Sequence, residues 1–238
     1  MKQYESEHYI FNYHSGSKAE EDLLEIVELQ EACFKHICNV LKVELDFKIQ
    51  YFFCTSPEEA GQIYGDNEPC NGFVDYPDII YAVYNNDIKC VGFHEDAHLI
   101  SYKINRPDCP AIREGLAMYF DRYWWGINNL DWTVFFIKNN RYVSLVELLD
   151  KEKFFFLDCT ITYPIMGAFT DWLINSYGIE RYLSFYKKTD SISAIEEVYG
   201  MTIEEIDEAF KDYLSLFKIN KNIRKEMLNL LSKNGFDC

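Results

Sequence analysis

The chain has 238 residues, 48% hydrophobic and 17% aromatic, enough to bury the core of one large domain or of two joined lobes. Its formal charge of −16 argues against nucleic acid and anionic membrane surfaces as partners. No apolar run approaches the roughly 18 residues of a membrane span, and residues 1–7 lack the apolar centre of a signal peptide, so the expected compartment is the cytoplasm.

Residues 1–16 read as irregular. Ser17 and Glu20 form a capping box. The helix it opens carries Leu23, Leu24, Ile26, Val27, Cys33, Ile37, Val40 and Leu41 at helical spacing to about residue 42. His36 on this helix, and His8 and His14 before it, read as structural or solvated. Residues 46–54 (DFKIQYFFC) predict a strand. Ser56 and Pro57 then start a short helix that ends near Gly65. Residues 66–77 hold Asn, Gly, Pro and Asp and read as loop. Residues 78–84 (DIIYAVY) predict a second strand. Tyr81, Ala82 and Val83 would form a free edge for an extended peptide, paired through main-chain hydrogen bonds; the alternative is an internal strand.

The next stretch carries the chemistry. His94-Glu95-Asp96-Ala97-His98 is an HExxH motif. Residues four apart share one helical face, so both imidazoles can meet one metal ion. Glu95 can reach a water on the open side of that ion. Two nitrogens, a third protein ligand and a water suit a single zinc. No histidine follows His98, so a downstream third ligand must be a carboxylate or thiolate. Asp108, Cys109, Glu114 and Asp121 are candidates. Glu114 is the best placed: Pro110 suits the first turn of a new helix, and a loop over 103–109 would let that helix fold back on the first. Gly115 would allow the two backbones to approach closely. The rival reading of Glu114 is a first-turn acid that complements the helix dipole. Asp121, seven residues on, could hydrogen-bond a ligand histidine; the alternative is a solvated acid.

Beyond residue 120 the pattern is helical. Tyr123-Trp124-Trp125 reads as packing, 144–149 as the start of a helix, and 151–161 as loop. Gly178 and Gly200 end helices, and Thr202 with Glu205 forms another capping box. A final helix covers 222–231. The eight cysteines, from Cys33 to Cys238, form no CxxC pair, which argues against a thiolate zinc site; several lie in apolar runs as small core residues, which suits a reducing compartment, and disulfides are the alternative in a secreted protein.

HEDAH followed by REGLAMYF resembles the MA-like gluzincin metallopeptidases, whose second motif reads Glu-Gly-hydrophobic-Ala-x-Tyr. The segment from Tyr163 through Trp172 to Tyr177-Gly178 resembles a helix of the same families. The resemblance covers about residues 46–217. It implies zinc held by His94, His98 and Glu114, Glu95 as general base, and Tyr163 steadying the oxyanion; Tyr119 and Tyr177 are alternatives for that last role, and the rival reading of Tyr163 is a buried structural tyrosine. It also implies an α+β, zincin-like fold in a single catalytic unit. A small N-terminal mixed sheet and the HExxH helix would make one lobe (about 1–105), and a mainly helical lobe would follow (about 106–238). The expected function is zinc-dependent hydrolysis of peptide or protein substrates. The alternatives are a catalytically silent binding module of the same fold and a zinc hydrolase of a non-peptide amide. No segment that would recognise a free peptide N-terminus precedes His94, so endopeptidase and exopeptidase both stay open.

Overall fold

Alternation builds the first half of the molecule. Tyr9, Phe11 and Tyr13 are buried on one face of a strand. The computed structural model describes residues 1–236. The fold is α+β, and the chain divides into two compact units, Met1–Ile104 and the chain from Asn105 onward.

The first unit contains, in order, β1 (Lys2–Glu5), β2 (Tyr9–Tyr13), α1 (Lys18–Glu21), α2 (Leu23–Leu41), β3 (Ile49–Cys54), α3 (Pro57–Tyr64), β4 (Gly72–Asp75), β5 (Ile79–Val83) and α4 (His94–Ser101). Its five strands lie in the order β1-β2-β3-β5-β4. The inner pairs β2–β3 and β3–β5 are parallel, and the outer pairs β1–β2 and β4–β5 are antiparallel. One face presents Tyr9, Phe11, Tyr51, Phe53, Ile80 and Ala82, all buried. The helix expected over 17–42 breaks at Asp22, which caps α2 and lies at the end of α1. Ser56 and Pro57 start α3 as expected, and Gly65 ends it in the left-handed conformation at φ 105°.

Two expectations need correction. Residues 1–16 hold β1 and β2. The loop over 66–77 contains β4, which pairs along its whole length with β5, from Gly72↔Ala82 to Asp75↔Ile79. Tyr81, Ala82 and Val83 are therefore not an edge. β3 engages β5 on one side and β4 on the other, so the main-chain groups of β5 are spent in the sheet. The edge at this end is β4.

The second unit is mainly helical: α5 (Pro110–Asp121), a hairpin of β6 (Tyr123–Trp124) and β7 (Ile127–Asn128), α6 (Asn129–Lys138), α7 (Leu145–Leu148), α8 (Lys151–Phe154), α9 (Cys159–Tyr177), α10 (Ile179–Tyr186), α11 (Ser191–Tyr199), α12 (Ile203–Ser215) and α13 (Lys221–Lys233). α9 is its centre, packed by α5, α6 and α10. A β-carbon at Gly115 would lie 2.7 Å from Thr170 Oγ1 and 3.0 Å from the Met166 carbonyl oxygen. Gly115 thus allows close approach, as expected of it, but its nearest neighbours are on α9 rather than on α4. The Thr202–Glu205 capping box is present in full. Among the described residues no cysteine forms a disulfide; Cys238 lies outside them. No helix among these residues is long and apolar enough to cross a membrane.

Candidate metal centre

The HExxH motif opens α4 instead of sitting in the middle of a longer helix. His94, Glu95 and Asp96 make up its first turn, and the helix has only 8 residues. No side chain caps it. Its start is fixed from outside. Gly92 turns the chain at φ 118°, and Gln30 of α2 grips that turn at both ends. The Gly92 N–H donates to Gln30 Oε1 at 2.5 Å, and Gln30 Nε2 donates to the Gly92 carbonyl at 3.3 Å.

The same glutamine reaches into the motif. Gln30 Nε2 donates to Asp96 Oδ2 at 3.0 Å, and the Tyr9 hydroxyl donates to the same oxygen. Asp96 and Gln30 are completely buried. Burial holds the Asp96 carboxyl well above the usual carboxylate range, against the two hydrogen bonds, which favour the charged form. The sequence reading missed this trio. The available signal was a glutamine on an apolar helical stripe, flanked by Ile26, Cys33, Phe34 and Ile37.

With α4 so held, the His94 and His98 rings lie with centroids 5.0 Å apart and planes at 84°. His98 is buried and His94 half-buried. Glu114 is the fifth residue of α5, past the first turn. A carboxylate there gains little from the helix dipole, which acts mainly within that turn. One ligand atom from each of His94, His98 and Glu114 lies within 4.8 Å of the others. Around a tetrahedral zinc with bonds of about 2.0–2.2 Å, ligand atoms stand roughly 3.3 Å apart. Two imidazole nitrogens and one carboxylate oxygen fit the preference of zinc, and this group could hold a metal ion.

Glu95 reaches strand β4. A β-carbon at Gly72 would lie 2.9 Å from Glu95 Oε1 and 3.1 Å from the Tyr81 carbonyl oxygen. The carboxylate of the proposed base therefore rests against the edge strand β4, at the one position of that strand without a side chain.

The other predicted residues are placed as follows. Tyr163 lies early in α9, half-buried, with its ring edge-on to Trp124 at 5.6 Å. Asp121 is the last residue of α5, about 10 Å of helix rise beyond Glu114. Tyr81 is half-buried, and Ala82 and Val83 are buried within the sheet. His36 sets its ring edge-on to Phe93 at 5.6 Å. His14 pairs with Glu59 at 2.9 Å. His8 Nδ1 donates to Glu31 Oε2 at 2.6 Å, and the ring stacks on Phe34. Glu7, His8 and Glu31 also come together closely enough to hold a cation. Their atoms are already engaged: Ser6 Oγ and the His8 N–H both donate to Glu31, and Lys35 pairs with Glu7.

The chain matches no protein-family model, no curated protein and no solved structure.

Proposed function

We propose that the protein is a zinc-dependent metallopeptidase of the gluzincin type. One observation carries the reading: two imidazoles spaced four residues apart on one helix share a space under 5 Å across with a carboxylate from another helix. A zinc ion held by His94, His98 and Glu114 supplies Lewis acidity toward a peptide carbonyl and a water.

The chain's own groups do the rest. Glu95 takes a proton from the attacking water and passes it to the leaving amine. Its place beside Gly72 sets it next to the strand along which an extended peptide would pair. That strand is β4, the last strand of the sheet at this end among the described residues, and a peptide would add beside it. Tyr163 is the proposed donor toward the oxygen that turns negative as the bond breaks, a contribution of a few kcal/mol. Gln30, Tyr9 and Asp96 orient α4, and with it both histidines. The retained Glu95 speaks against a silent binding module, since metal binding alone needs no base.

The test compares wild type with Glu95→Gln on a mixed peptide library, with zinc content read in parallel. The expected outcome is full zinc content in both and a fall in hydrolysis of about 10³-fold in the variant. Unchanged hydrolysis would remove Glu95 from the mechanism. Mass spectrometry of the products separates peptide cleavage from attack on other amides.

A further inference from the structure

Strand β4 has two faces, and only one of them meets Glu95. Successive side chains of a strand point to opposite sides. Gly72 faces the Glu95 carboxylate. Phe73 faces away and stacks on Tyr81 at 4.8 Å with planes at 22°. Tyr81 continues the ladder onto Phe52 at 5.1 Å, and Tyr64 at the end of α3 meets Phe73 edge-on at 5.0 Å. Beside this ladder is a cleft of about 230 Å³ lined by Ile63, Tyr64, Phe73, Val74, Asp75 and Tyr81.

The lining has a definite chemical character. Tyr64 and Ile63 are 60% and 45% exposed, unusual for large apolar side chains next to an open strand edge. Asp75 adds an exposed carboxylate. Burial, with the Asp75 charge beside it, raises the Tyr81 phenol. Aromatic walls with an acid at the rim suit a side chain with a long apolar stem and a cationic head. Such a stem packs against rings, a guanidinium stacks on them, and the head pairs with a carboxylate. A chain of net charge −16 also draws cationic peptides toward it.

We propose that this cleft is a substrate subsite for an arginine or lysine side chain of an extended peptide paired with β4. The proposal rests on the peptidase reading above and narrows its substrates to peptides with a basic residue near the cleaved bond. The alternation of β4 passes to a peptide hydrogen-bonded beside it. Neighbouring side chains of the peptide then alternate between the Glu95 face and the aromatic cleft.

Binding without turnover tests it. Full-length, zinc-loaded Glu95→Gln protein is titrated into fluorescein-labelled decapeptides of alternating alanine and threonine. The peptides differ only at one central residue: arginine, norleucine or glutamate. The arginine peptide is expected to bind about tenfold tighter than the norleucine peptide, and the glutamate peptide weakest. Adding Asp75→Asn should bring arginine to the level of norleucine and leave the norleucine peptide unchanged. Equal binding of arginine and norleucine, an arginine preference that survives Asp75→Asn, or no binding of any peptide would overturn the proposal. Zinc content and cleavage by wild type are read separately. A protein that lacks zinc and cleaves nothing, yet prefers arginine through Asp75, keeps the subsite and loses the peptidase. A protein that cleaves peptides with no basic preference does the reverse.

Discussion

A carboxylate that is to move a proton needs a fixed place before anything else. At Glu95 that place is defined by an absence, the missing side chain of Gly72. A methyl group there would press on Glu95 Oε1 from 2.9 Å and on the Tyr81 carbonyl from 3.1 Å. Gly72→Ala should therefore displace the Glu95 carboxylate and spare His94, His98 and Glu114. The expected result is a fall in kcat of about tenfold or more, with zinc affinity unchanged in a competition titration. Turnover equal to wild type would show that Glu95 is not positioned by this contact. The group that could hold a metal ion was legible in the sequence: a four-residue spacing puts two histidines on one face, and the lack of any later histidine leaves few candidates for a third member. Asp96, Gln30 and Tyr9 were not read, because each looks ordinary alone. Their meaning comes from burial and from one another, across 66 residues of chain between Gln30 and Asp96.

Among the elements, α5 carries Glu114, and its seat on α9 depends on Gly115. Alanine for glycine inside a helix ordinarily stabilises by up to about 1 kcal/mol. Here the added carbon would meet Thr170 Oγ1 at 2.7 Å and the Met166 carbonyl at 3.0 Å. A backbone oxygen cannot step aside alone, so Gly115→Ala is expected to lose about 1–3 kcal/mol in urea denaturation. A gain in stability would mean that the helices have room to part.

A second element-level device is Asp22, which joins α1 and α2 to the loop after β5. It accepts from Lys18 Nζ at 2.8 Å, the Tyr84 hydroxyl at 2.9 Å and Lys89 Nζ at 3.1 Å. The hydrogen bond from Lys18, with those from Tyr84 and Lys89, holds its pKa down at about 2 against the opposing effect of burial. A carboxylate depressed in the folded state stabilises above its unfolded value, about 3.9, and loses that effect as the pH falls through the folded one. Asp22→Asn should thus melt lower than wild type at pH 6, and the gap should close between pH about 4 and about 2. A gap that does not vary with pH would contradict the assignment. Helix ends marked by Ser56-Pro57, Gly65, Gly178 and Thr202-Glu205 were readable because caps are local chemistry. Strands β1, β2 and β4 were not: each has only four or five residues, and partners distant in sequence decide whether such a segment becomes a strand.

At the scale of the whole molecule, the two predicted strands before residue 85 and the helical pattern beyond residue 120 made an α+β order legible, and the mixed sheet was expected from the resemblance. The details of the sheet order were not, since parallel pairing of β2, β3 and β5 leaves no turn signal between them. The measurement that bears most heavily on the reading is X-ray absorption at the zinc edge of the full-length protein after loading. One zinc per chain is expected. Its scatterers should be nitrogen and oxygen alone at about 2.0–2.1 Å, with the outer-ring signature of two imidazoles, and stoichiometric binding should be lost in Glu114→Ala. Sulfur at about 2.3 Å, a single imidazole, or zinc bound equally well without Glu114 would contradict it.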